Sequence, residues 1–105
     1  MKTKSKTPRV RITARHADHA GGKTGQLSPN LTVLDISNAL GMGPIVSDDE
    51  DAKVTRTWVF TARVDGRELH CSIWDYCGVR WSTNGSGDAF DAIFGDAWSH
   101  MSWAA

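Results

Sequence analysis

Long apolar runs are missing from this 105-residue chain: none approaches the roughly 18 consecutive apolar residues that a membrane-spanning helix requires. No apolar segment follows the basic N-terminus either, so a secretory signal is not expected and a cytoplasmic location is. Cysteine is equally scarce. The only two, Cys71 and Cys77, make no disulfide framework and do not point to an oxidising compartment. They lack CxxC spacing, and His70 and Cys71 would point to opposite faces of one strand, so no metal site is expected. Net charge is absent too, with 12 basic residues against 12 acidic ones. That balance argues against an overall acidic mimic of DNA.

What is present is ordinary globular composition, 40% hydrophobic and 23% charged, at a length that supports one core. The charge is unevenly spread. Lys2, Lys4, Lys6, Arg9, Arg11 and Arg15 supply half of the basic residues before the first acid, Asp18. Acids gather at Asp48, Asp49, Glu50 and Asp51, a run without the alternating oxygens and sharp-turn glycine of a calcium loop. Residues 1–7 read as a disordered basic tail, followed by a single globular domain over 8–105.

Arg9-Val10-Arg11-Ile12-Thr13 alternates basic with apolar at period two and suits a short strand with its arginines outward. Basic side chains there also guard an exposed edge against pairing. A glycine-containing loop is expected over 16–26. Its His16 and His19 have H-x-x-H spacing, and Gly22-Lys23-Thr24 imitates the end of a phosphate-binding loop. That motif fails at Ala17, where a glycine is required. Ser28-Pro29 offers an N-cap and first-turn proline, and Gly41 a stop, so a helix is expected between them. The segment 41–51 reads as loop.

From Lys53 to Val64 the chain alternates as a strand, and Asp65-Gly66 is a two-residue hairpin signal. Closing that turn sets Ala62 opposite Leu69, Phe60 opposite Cys71 and Trp58 opposite Ile73, all apolar and on one face. Arg56 then falls opposite Asp75. The second turn, at Cys77-Gly78, has two readings. A tight turn pairs Trp74 with Trp81; a bulged three-residue loop pairs Ile73 with Trp81 and sends Trp81 to the core. Either way Trp74 faces away from Trp58, Phe60 and Ile73. Phe90, Ile93, Phe94, Ala97, Trp98 and Met101 then recur at helical spacing, capped by Ser86 or Asp88.

The expected fold is α+β: a three-stranded antiparallel meander plus a short N-terminal strand, packed with two helices. Thr57-Trp58-Val59-Phe60, Asp65-Gly66, Ile73-Trp74-Asp75-Tyr76 and Trp81-Ser82 resemble a W-x-F and I-[YW]-D-Y strand pattern of small uncharacterised bacteriophage proteins. That resemblance spans residues 53–85 and departs at Cys77. It implies a phage or mobile-element accessory protein, in the host cytoplasm, that binds and inhibits a host defence complex as anti-CRISPR proteins do.

No enzyme signature is visible and no cofactor is implied; Asp75 is better explained by an ion pair than by acid-base work. The expected partner-binding residues are Trp74, Tyr76, Arg80, Arg9, Arg11 and Arg15, aromatic and arginine types enriched at interface hot spots. The expected partner is a host protein complex. Nucleic acid, tracked by the basic residues within 1–15, is the alternative, with Trp74 or Tyr76 stacking a base. A nucleotide-sequestering protein is the third reading. A homodimer is compatible with all three.

Overall fold

The computed structural model of the chain describes residues 10–14, 23–47, 54–76 and 80–100. The side chains of Tyr76 and Arg80 also lie outside the description. So do the expected tail over 1–7, His16 and His19, the acidic run and the Cys77-Gly78 turn.

The elements are β1 (Val10–Ala14), β2 (Gly25–Leu27), α1 (Val33–Leu40), β3 (Ile45–Val46), β4 (Arg56–Val64), β5 (Arg67–Tyr76), β6 (Arg80–Asn84), α2 (Gly87–Phe94) and β7 (Trp98–His100). The seven strands among the described residues join one sheet in the order β1-β4-β5-β6-β2-β7, with β3 also on β4. Every pairing is antiparallel. This corrects the expected fold. The domain is dominated by a seven-stranded sheet with two short helices, whereas a three-stranded meander with one added strand was expected. The three unanticipated strands, β2, β3 and β7, are two or three residues long, too short to carry a period-two signal.

The β4–β5 hairpin has the register that its sequence dictates: Ala62 faces Leu69, Phe60 faces Cys71 and Trp58 faces Ile73. Asp65, at φ 51°, and Gly66, at φ 88°, both take the left-handed backbone that this tight turn requires. The β5–β6 pairing matches neither expected register. Tyr76 lies opposite Arg80 and Asp75 opposite Trp81, which leaves three residues, 77–79, in the connection. Trp81 therefore shares the face of Ile73, and its ring meets Trp58 edge-on at 5.6 Å.

That face carries the core. Trp58, Phe60, Ala62, Cys71 and Ile73 are buried beneath Ile36 and Leu40 of α1 and Ala89 and Phe90 of α2. Fully burying side chains of this size stabilises by about 1.5–3 kcal/mol each. Two indole N–H groups tie the flanks of α1 to the sheet. Trp58 Nε1 donates to the Met42 carbonyl at 3.1 Å, and Trp81 Nε1 to the Leu31 carbonyl at 2.8 Å.

Helix α1 starts later than Ser28-Pro29 suggests. Thr32 is the N-cap and forms a capping box with Asp35, while Gly41 ends the helix at φ 73°. Helix α2 is capped by Ser86 and stops at Gly95, which cuts short the expected apolar stripe. A 3-10 turn at Gly95–Ala97 follows, and Trp98 then enters the sheet on β7. Its ring still reaches the core. It stacks on Phe90 at 5.8 Å and donates from Nε1 to the Thr83 hydroxyl at 3.0 Å.

Candidate functional site

Both helices lie on the core face, so the opposite face of the sheet is the place to look for a partner surface. Its rows follow from the register. Arg11 faces Arg63, which faces Glu68; Thr13 faces Thr61, which faces His70. Farther along come Val59, Ser72 and Asn84, then Thr57, Trp74, Ser82 and Gln26.

These rows divide in two. The middle is packed: Val59, Ser72, Trp74 and Ser82 are all buried, with Trp74 only 8% exposed. Among the described residues the Ser72 hydroxyl is buried there without a hydrogen-bond partner. Trp74 thus belongs to a second packed layer and does not present an exposed ring. The other end is open and polar. Arg11, Thr13, Arg63, Glu68 and His70 are exposed, and Thr61 Oγ1 lies 3.1 Å from His70 Nδ1.

Geometry separates the expected binding residues. Trp74 is six residues along β5 from Glu68, the residue that shares a row with Arg11 and Arg63. At about 3.4 Å per residue, that is roughly 20 Å. Arg11 and Trp74 therefore do not form one compact patch. Tyr76 and Arg80 are neighbours across β5 and β6, at the far end from Arg11. Arg9 and Arg15 lie outside the described residues.

In place of a tryptophan, the structure brings Arg63 to Arg11. The two occupy directly opposed positions on adjacent strands, where like charges repel. Glu68 lies 3.8 Å from Arg63, but both side chains are more than half exposed and such a pair is weak. Among the described residues Arg11 has no acidic partner. With Val10 and Gly66, the two arginines line an open groove of about 640 Å³. A guanidinium is a planar fork matched to carboxylate or phosphate, and two side by side favour an anionic occupant. Arg63 was not singled out in the sequence because only the β1–β4 pairing reveals its neighbour.

Asp75 has a structural role. It is 2% exposed, and its Oδ1 accepts from the Thr55 and Arg56 amides at 2.8 and 2.9 Å. Its Oδ2 accepts from the Thr55 hydroxyl at 2.6 Å, with the Arg56 guanidinium 3.7 Å away. Burial alone would raise its pKa. The Thr55 hydroxyl, the two amides and the Arg56 charge together outweigh burial and hold it below the ordinary carboxylate value. Asp75 is thereby committed to holding the segment that leads into β4.

Among the described residues no group of three or more histidine, cysteine or acidic side chains is arranged to hold a metal ion. Nor is any described helix long and apolar enough to cross a membrane. Compared with protein-family models, with curated proteins and with solved structures, the chain matches none.

Proposed function

We propose that this chain is a binding protein without catalytic activity, whose Arg11–Arg63 groove receives carboxylates from an acidic protein surface. One observation carries the reading: two exposed arginines are held directly opposite each other, and Arg11 is without an acidic partner among the described residues. Such an arrangement costs folding energy that an incoming anion relieves. Arg9 and Arg15 flank Arg11 in the sequence and add to its basic character. Following the phage-like strand pattern, we place the protein among phage or mobile-element accessory proteins that block a host defence complex in the host cytoplasm.

Bacteria carrying an active CRISPR-Cas system and expressing the chain should regain plating of a targeted phage. Arg11→Glu combined with Arg63→Glu should abolish that recovery and weaken affinity for the inhibited complex at least about tenfold. Plating that stays blocked under all defence systems tried would end the anti-defence assignment. Tighter binding to a DNA duplex than to acidic protein, with a steep salt dependence, would favour the nucleic-acid alternative.

A further inference from the structure

The two arginines of the groove do not stand in equivalent surroundings. The sheet order β1-β4-β5 puts Arg63 in the middle of its row, with Arg11 on one side and Glu68 on the other. The Asp65-Gly66 turn fixes the second neighbour. Its two-residue connection makes Val64 and Arg67 the first pair of the hairpin and Arg63 and Glu68 the next. Adjacent strands lie about 4.8 Å apart, so the Glu68 backbone is roughly 10 Å from that of Arg11. Glu68 reaches Arg63, its Oε2 3.8 Å from Nη2, and among the described residues no acid reaches Arg11.

The Arg63–Glu68 contact is of a kind that gives way. At 3.8 Å it is longer than a hydrogen bond, so Glu68 offsets the charge of Arg63 without engaging its N–H fork. Both side chains are exposed, at 55% and 61%, and water screens the pair. A carboxylate entering the groove can form two parallel charge-assisted bonds to the same guanidinium at about 2.8 Å, a stronger arrangement. Nor does Glu68 obstruct the entry. The described residues lining the groove are Val10, Arg11, Arg63 and Gly66, so Glu68 holds Arg63 from outside it.

We infer that Glu68 sets the affinity of the groove for its acidic occupant, as a competitor for Arg63 carried by the chain itself. In the free protein it offsets one of two opposed like charges. On docking, a carboxylate of the partner takes its place on Arg63, while Arg11 is taken without competition. The inference rests on the reading of the groove as the docking site.

Calorimetric titration of the full chain with a glutamate-rich peptide at low salt tests it. Glu68→Gln should tighten binding about two- to fivefold, the range expected for releasing an exposed ion pair. In an Arg63→Gln background the same change should give no gain, because the contested guanidinium is gone. In an Arg11→Gln background the gain should persist. That contrast separates competition for Arg63 from a general lowering of negative charge, which would tighten binding in both backgrounds. All three side chains are exposed, so the variants should keep the fold. Groove binding that Glu68→Gln does not tighten, or a gain that survives Arg63→Gln, would overturn this inference alone. A wild type that does not bind the peptide, or binds it equally well as the Arg11→Glu, Arg63→Glu variant, would overturn the docking site and this inference with it.

Discussion

Replacing Asp75 with alanine is expected to destabilise the fold by about 3–5 kcal/mol, a large fraction of the stability of a domain this size. The loss is not that of one ion pair. Two part-buried backbone amides and a threonine hydroxyl lose their acceptor together. Asp75→Asn should cost less, about 1–2 kcal/mol, since its carbonyl oxygen can still accept from the Thr55 and Arg56 amides.

The charge itself shows in the pH dependence. The folded-state pKa of Asp75 is lowered, so between the folded and unfolded values the unfolded chain binds the proton. The contribution is then fully present above the unfolded value, about 3.9, and is lost as pH falls through the lower folded value. Urea unfolding at neutral pH should show the full gap between wild type and Asp75→Ala. The gap should narrow as the pH is taken below about 4. A gap that does not change with pH would mean that the negative charge contributes nothing.

Trp98→Ala should be the next most damaging change, at about 3 kcal/mol. Its indole binds β7, β2, β6 and α2 into one unit, stacked on Phe90 and hydrogen-bonded to Thr83. Glycines make its slot. A methyl group at Gly25 would lie 2.6 Å from both Trp98 Nε1 and the Ser99 carbonyl oxygen. At Gly87 the three atoms nearest the methyl all belong to the Trp98 ring, the closest at 2.9 Å.

The two glycines should therefore respond differently. Gly87→Ala is expected to destabilise the wild type by about 1–3 kcal/mol through overpacking. In the Trp98→Ala background it should become neutral or stabilising, because the clash is gone and alanine suits a helix better than glycine. Gly25→Ala should remain harmful in both backgrounds, since its collision with the Ser99 carbonyl persists. Thermal unfolding of the single and double variants measures this coupling, and simple additivity for Gly87 with Trp98 would contradict it.

The parts of this fold that can be read in the sequence are those where pattern and turn chemistry agree. The β4–β5 register follows from apolar alternation on both strands and from Asp65-Gly66 between them. Gly41 and Ser86 also act as the helix boundaries their residue types suggest. The short strands were not legible. Ile45–Val46 and Gly25–Leu27 acquire strand conformation only by pairing with longer neighbours, and nothing in two or three residues announces that. Trp98 misleads for another reason. Its spacing from Phe90 and Phe94 is helical, and its ring does pack on Phe90, yet Gly95 breaks the helix and the ring arrives from a strand.

Of the candidate site, Arg11 was legible as an outward residue of a short strand. Its partnership with Arg63 depends on a pairing between segments about fifty residues apart, which no local signal encodes. The orientation of Trp74, away from the main core, was also legible. Its burial was not, because alternation tells which face a side chain takes and not what covers that face.

The central claim is that the Arg11–Arg63 groove is where an acidic partner docks. Titrating the isotope-labelled chain with a glutamate-rich peptide, followed by amide NMR shifts, tests it most directly. The largest shifts should fall on Arg11, Thr13, Thr61 and Arg63 along β1 and β4, and should vanish in the Arg11→Glu, Arg63→Glu variant. Shifts centred on another surface, or unchanged in that variant, would contradict the claim.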